Sequence, residues 1–333
     1  MKKISILLIA VMCAFTCLLT GCKKDKNVIR VNEVTHSIFY APLYIAINKG
    51  YFEEEGVKIE LTNGGGADKV MSALVSKTAD IGLMGPEAAI YVADQGKKDQ
   101  PKVFAQLTKR DGSFLIGRND VDGEFDIQSL IGAEIIGGRQ GGVPAMTLEY
   151  MLMQHGLIDG ENITIRYDIA FNNMTAAFVG GTGDYVTAFE PTASDLEAND
   201  QGYVLASIGQ LAGEVPYTAF TANESYLKKN NDKVEKFLRA LIKGYNYLIN
   251  NINNLDNVVD ALMPSFSGSS RNSIKTGIAA YIAIDAWASD MILTETAYNN
   301  LVTIINTCSE DKVSAKYADV VDNSYIQKVL NQL

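Results

Sequence analysis

Cysteine and histidine are scarce in this 333-residue chain, and the scarcity narrows what it can do. Of four cysteines, Cys13, Cys17 and Cys22 crowd the amino-terminal end, and Cys308 stands alone afterwards. A lone thiol closes no intrachain disulfide and offers no Cys₂ or Cys₄ metal site. Cys308 lies in the apolar helical pattern LVTIINTCSE, which predicts a buried, inert thiol. There are two histidines, His36 and His155, and no Gly-x-Ser-x-Gly elbow, so serine hydrolase chemistry has no support. His155 precedes Gly156 at a helix end, where a positive ring suits the dipole. A basic excess is also missing. The formal charge is −10, which argues against nucleic acid or anionic lipid as a partner. Short-period repeats and low-complexity domains are absent as well.

The chain opens Met1-Lys2-Lys3 and then runs without charge from Ile4 to Thr20. A membrane span needs roughly 20 apolar residues, so this run reads instead as a secretory signal. Its exit, Leu19-Thr20-Gly21-Cys22, resembles the bacterial lipoprotein lipobox. That resemblance implies cleavage before Cys22 and acylation of its thiol and new amino end. Residues 1–21 are then the signal, and 22–27 a tether carrying Lys23, Lys24 and Lys26. Two acyl chains are what stable membrane attachment requires. The competing reading is an ordinary signal, or an uncleaved anchor, with a chance cysteine. Loss of Lys2 and Lys3 takes the formal charge from −10 to −12. The expected location is the outer face of the cell membrane, or its periplasmic side in a two-membrane host.

Strand and helix signals alternate through the first 220 or so residues, which predicts an α/β fold with largely parallel sheets. Strands are expected at 28–31, 57–61, 80–84 and 103–108, with helices at 42–49, 67–76 and 87–95. A second unit begins near Arg110, with strands at 114–116, 134–136, 163–167 and 185–189 and helices at 144–154 and 174–179. Residues 217–221 form a return crossing, and from Asp232 the period is helical. The expected organisation is one lobe from 28–108 and 216–333, whose carboxy-terminal helices cover it, and a second lobe from 109–215. Two crossings between α/β lobes leave a cleft, the usual place for a ligand.

Residues 39–61, FYAPLYIAINKGYFEEEGVKIEL, carry a family resemblance. They are similar to the opening of the solute-binding proteins for sulfonates, taurine, nitrate and thiamin pyrimidine precursors. That superfamily also includes the yeast-type pyrimidine synthase of thiamin biosynthesis. Three further segments resemble it: ALVSKTADIGLMGPEAAI (73–90), IIGGRQGGVPAMTLEYMLMQHGL (135–157) and FVGGTGDYVTAFEP (178–191). The resemblance implies a type II periplasmic-binding-protein fold and hinge closure on a small molecule. It also implies delivery to a permease and its ATPase of the ATP-binding-cassette (ABC) class, by a monomeric receptor that needs no cofactor.

By family position, the loop holding His36, Ser37, Phe39 and Tyr40 lines the cleft. Phe39 or Tyr40 is placed to stack on a planar ring, with core packing the equal alternative for Phe39. For His36, a surface or capping role competes with ligand contact. The glycine-rich stretch 137–142, with Gly138, Gln140, Gly141 and Gly142, lets backbone approach a ligand at the start of a helix near Pro144. Arg139 would assist an anion there, or stay solvated. Glu190, before Pro191, faces the cleft or caps a helix, and one of Asn172 and Asn173 reaches the ligand while the other caps. Gly85, Glu87, Tyr217 and Thr218 complete the set, Glu87 being equally a first-turn helix acid.

Three functions follow. Tyr40 with Glu190 suits a planar nitrogen heterocycle such as a thiamin pyrimidine precursor. The glycine loop suits an alkanesulfonate, taurine or nitrate-type anion. A pyrimidine synthase needs a histidine where Tyr40 stands and a cysteine-rich loop before Tyr217, and both are missing.

Overall fold

The computed structural model describes residues 27–96 and 99–333. The signal, Cys22 and the tether lysines therefore lie outside the described residues, and no described helix is long and apolar enough to cross a membrane.

Ten strands build two sheets. The first lobe holds β1 (Val28–Glu33), β2 (Lys58–Asn63), β3 (Ile81–Met84) and β4 (Pro101–Thr108). The second holds β5 (Ser113–Gly117), β6 (Glu134–Ile136), β7 (Thr164–Arg166), β8 (Tyr185–Phe189) and β9 (Tyr203–Ser207). The chain then returns to the first as β10 (Thr218–Asn223). The strand orders are β2-β1-β3-β10-β4 and β7-β6-β8-β5-β9. In each sheet four strands run the same way, and the strand just past a crossing inserts antiparallel between two of them. β3 and β5 are buried along their whole length, as strands covered on both faces must be.

The crossings run side by side. Val215 N–H donates to the Lys109 carbonyl at 2.9 Å, and Tyr217 N–H to the Thr108 carbonyl at 3.1 Å. Two short segments tied this way bend together, which is the geometry of a hinge.

One expectation needs correcting. The carboxy-terminal helices do not cover the first lobe alone. Helix Asn231–Asn250 packs on helix Ala41–Asn48 of the first lobe, as its apolar spacing requires. Helix Arg271–Ala283 instead packs on Thr192–Ala198, and Glu295–Cys308 on Val143–Gln154, both in the second lobe. Their apolar stripes announce that a surface will be buried, and not which one. Cys308 is half-buried in that last contact, its Sγ 3.5 Å from the Met146 carbonyl, and burial pushes its thiol up to about 12. β9 was not foreseen because it is an edge strand, half-buried throughout and without apolar alternation.

Candidate functional site

A cavity of about 290 Å³ lies between the lobes. Its walls stand just beyond the carboxyl ends of the parallel strands: Val34 and Thr35 after β1, 65–69 after β2, Gly85 and Glu87 after β3. From the second lobe come Arg139 and 142–144 after β6, 167–171 after β7, and Phe189 at the end of β8. Strand-end loops of open α/β sheets are where ligands bind. A wider groove of about 720 Å³ beside Val28, Arg30 and Lys229 lies at the opposite, amino-terminal end of β1, where no such loops converge.

Tyr40 enters this cavity because of its local chain. Ser37 caps a short 3₁₀ turn, its Oγ accepting from Phe39 N–H at 3.1 Å, and Pro42 starts the next helix in its first turn. Tyr40 is thereby held between two rigid pieces, 2 % exposed, and burial raises its phenol above the ordinary range. Phe39 is fully buried among Tyr40, Phe189, Tyr217 and Tyr281, with ring centroids 4.9–5.8 Å away, and is no wall of the cavity. Ser37 likewise stays outside it, donating to the Glu190 carbonyl of the other lobe at 2.5 Å.

Glu87 is the first residue of helix Glu87–Asp94 and is 1 % exposed. Its Oε1 accepts from Val143 N–H across the cleft at 3.4 Å, while its Oε2 has no partner. Burial pushes the carboxyl up to about 7, against the opposing pull of the Val143 amide and the Arg139 charge. Gly85 makes room for it: a Cβ there would stand 2.0 Å from Oε2.

The glycine loop shapes the facing wall. Gly138 and Gly141 have φ of +101° and +74°, where a side chain would be strained. The loop ends at Gly142, which caps helix Val143–Gln154 and lines the cavity. Its other residues make closing contacts. Tyr91 Oη donates to the Gly141 carbonyl at 3.0 Å, and Arg139 Nε lies 3.5 Å from Asp68 Oδ1. Gln140 is exposed and turned away. With Glu87–Val143, these bonds hold the lobes closed.

Tyr217 lines the cavity beside Thr218. Its hydroxyl adjoins the buried Asp111 carboxyl, yet neither Tyr217 Oη nor Asp111 Oδ2 has a hydrogen bond of normal geometry. Asp111 Oδ1 accepts from Ser113 N–H and Oγ, both at 2.7 Å, and burial pushes the acid up to about 7.

Asn172 and Glu190 fall in an adjoining pocket of about 220 Å³. The Glu190 carboxylate caps helix Thr192–Ala198: Oε2 accepts from Ser194 N–H and Oε1 from Ser194 Oγ, each at 2.9 Å. Its oxygens are thus engaged, and burial pushes the acid up to about 7. His36 is engaged too, with Nδ1 3.0 Å from Glu33 Oε1, Nε2 2.8 Å from the Ser265 carbonyl, and its ring stacked on Phe266.

The structure therefore gathers Tyr40, Gly85, Glu87, Gly142 and Tyr217 around one cavity. It sets Asn172 and Glu190 beside that cavity, and Ser37, Phe39, Gly138, Gln140 and Gly141 behind or between its walls. Tyr167, Phe171 and Phe189 also line it and were not singled out from the sequence. Their signal was position, at or just past the ends of β7 and β8.

This geometry agrees with what comparison with known proteins finds. The family described as NMT1/THI5 like matches residues 38–253. The chain belongs to the NMT1/THI5-like family. YtlA of Bacillus subtilis (strain 168), provisionally named as a binding protein, is 40 % identical over 316 residues, covering 94 % of each chain. The 4-amino-5-hydroxymethyl-2-methylpyrimidine phosphate synthase of Aspergillus parasiticus is 26 % identical over 226 residues, 63 % of each. Among solved structures, the alkanesulfonate-binding protein SsuA of Xanthomonas axonopodis pv. citri superposes with a TM-score of 0.69 at 16 % identity, covering 89 % of this chain and 98 % of that one. The ligand-binding component of an ABC-type import system from Staphylococcus aureus superposes with a TM-score of 0.68 at 16 % identity, covering 91 % and 99 %. The NMT1/THI5-like chain thus has the type II periplasmic-binding-protein fold, with its two-segment hinge and interlobe cavity.

Proposed function

We propose that this NMT1/THI5-like protein is the receptor of an ABC importer, held to the outer face of the cell membrane through lipid on Cys22. It captures a small planar nitrogen heterocycle, such as a thiamin pyrimidine precursor, and delivers it to a permease and its ATPase. The observation that carries the ligand class is Glu87. A buried carboxyl with a free oxygen, walled by Tyr40, Tyr217, Phe171 and Phe189, suits a flat ring that offers an amino N–H beside a ring nitrogen. The lipobox-like Leu19-Thr20-Gly21-Cys22 supports the anchor. The name of the Staphylococcus aureus structure supports the importer role.

A second reading has its own support. Arg139 and the helix start at Val143 face the same cavity, and the Xanthomonas structure is named for alkanesulfonate binding. A sulfonate would have to sit beside Glu87, whose carboxyl already takes the Val143 amide. The Aspergillus relative supports a synthase reading only distantly, and the cleft has no histidine at Tyr40 to serve it.

Titration calorimetry with 4-aminopyrimidines and with alkanesulfonates, taurine and nitrate separates the readings. Heat from aminopyrimidines is expected. A response confined to the anions would sink the heterocycle reading.

A further inference from the structure

Beyond the hinge the chain makes a further crossing between the lobes. Helix Leu255–Leu262 packs on Ala41–Asn48 of the first lobe, and the next helix, Arg271–Ala283, packs on Thr192–Ala198 of the second. The linker 263–270 between them is fastened on both sides. Asn48 Nδ2, of the first lobe, donates to the Ala261 carbonyl at 2.8 Å and to Ser265 Oγ at 2.9 Å. Ser269 Oγ donates to Asp195 Oδ2 of the second lobe at 2.7 Å. His36, in the loop after β1, holds the middle. Its Nε2 is 2.8 Å from the Ser265 carbonyl, and its ring stacks on Phe266 at a centroid distance of 4.5 Å.

The partners fix the protonation of that ring. A carbonyl oxygen only accepts, so Nε2 carries a hydrogen. Nδ1 lies 3.0 Å from Glu33 Oε1 and 2.9 Å from Tyr44 Oη, and the Tyr44 hydroxyl donates its own hydrogen to Glu33 Oε2. Every partner of Nδ1 is therefore an acceptor too. The ring that satisfies them all is the imidazolium, opposite the Glu33 carboxylate. A neutral ring has one N–H and keeps Glu33 or Ser265, not both. Glu33 is 1 % exposed, and His36 is the one cation paired with it among the described residues. Leaving a carboxylate that deep without its cation is costly. The stacked Phe266 face also favours the charged ring. Two other acids stand near. Glu190 shares the pocket wall with His36 but is held by Ser194, and Asp195 is held by Ser269.

We propose that His36 is a proton-operated clasp on this further crossing: the charged ring ties Glu33 to the 263–270 linker, and loss of its proton frees the linker and loosens the lobes. The sign follows from the pair. The Glu33 contact raises the ring above its ordinary value, so the clasp is fastened below the ordinary histidine range and released as pH rises through the raised one. The clasp governs opening rather than ligand choice, and does not depend on the heterocycle reading.

Proton NMR, hydrogen exchange and small-angle scattering on the full chain test it. The chain has two histidines, so His155→Gln leaves the His36 ring signal alone. Its midpoint is expected above that of a free histidine, and Glu33→Gln is expected to lower it. Exchange of the 263–270 amides, corrected for intrinsic rates, is expected to quicken about tenfold or more from pH 6 to pH 9, as loss of a charged hydrogen bond should. Helix Asn231–Asn250 is expected to keep its protection. In His36→Gln the linker should exchange fast at both pH values, and the radius of gyration should grow with pH less than in wild type. A midpoint at or below the free value would overturn the clasp, as would linker protection that ignores pH. So would a change of equal size in His36→Gln, which would put the titrating group elsewhere, as at Glu190. If His36→Gln does not fold, the wild-type midpoint and exchange profile decide.

Discussion

The Val143 amide, first in its helix, donates to Glu87 Oε1 from the opposite side of the cleft at 3.4 Å. A helix N-terminus is a ready site for an anion, and here the protein's own carboxyl occupies it. One oxygen of Glu87 therefore closes the lobes, and the other is buried without a partner against Gly85. Under the proposed function, ligand recognition and closure meet in one side chain, which is how a bound molecule would bias an open–closed equilibrium.

The closing contacts are separable from the ring site. Tyr91→Phe removes the hydrogen bond to the Gly141 carbonyl together with the longer contact to Met146 Sδ at 3.6 Å, and leaves the ring in place. One such bond contributes about 0.5–1.5 kcal/mol, so the closed form and the apparent affinity should fall about two- to tenfold. Small-angle scattering should show a larger ligand-free radius of gyration, with the thermal midpoint nearly unchanged. An unaltered radius and affinity would mean that Tyr91 does not hold the lobes.

Gly85→Ala tests the space beneath Glu87. The added carbon would stand 2.0 Å from Oε2 and 2.8 Å from Cδ, so the carboxyl has to swing away. Aminopyrimidine affinity should drop by at least about tenfold, the cost of a lost charge-assisted hydrogen bond, while circular dichroism reports an intact fold. Affinity equal to the parent's would show that the carboxyl's position is unimportant.

Stability should fall as pH rises. Burial holds Glu87, Asp111 and Glu190 near about 7, well above ordinary carboxyls. Between the ordinary range and about 7 the folded chain binds more protons than the unfolded one, so each rise in pH favours unfolding. His36 acts in the same direction, since the Glu33 contact raises it and its stabilisation is lost above that raised value. The acids lowered by partners, such as Glu55 and Asp99, lose their contribution only at more acidic pH. The ligand-free thermal midpoint should be about 5 °C or more higher at pH 5.5 than at pH 8. Glu87→Gln should flatten the profile, and a midpoint that rises with pH would contradict the assignment.

Much of the fold was legible because period and punctuation agree. The 185–189 strand and the 174–179 helix fall where their patterns put them. The edge strand β9 has no alternation to read, and the carboxy-terminal helices show an apolar stripe without its partner. The site was legible in part. Tyr40, Gly85 and Gly142 stand beside turns that the sequence marks. Glu190 looked like a ligand acid because nothing in GluProThrAlaSer announces that Ser194 will fill both its oxygens. Glu87 was open between helix cap and ligand group, and only the cross-lobe bond to Val143 decides how it is used. Phe171 carries no motif, and its place in the cavity wall comes from a short 3₁₀ turn that follows β7.

The most direct test of the account is the affinity of wild type and Glu87→Gln for a 4-aminopyrimidine and for an alkanesulfonate, measured side by side by calorimetry. The account predicts that wild type binds the aminopyrimidine and that the substitution weakens it about tenfold or more, as loss of a charged partner in a buried site should. Unchanged aminopyrimidine affinity, or a sulfonate that binds wild type and binds Glu87→Gln more tightly, would contradict it.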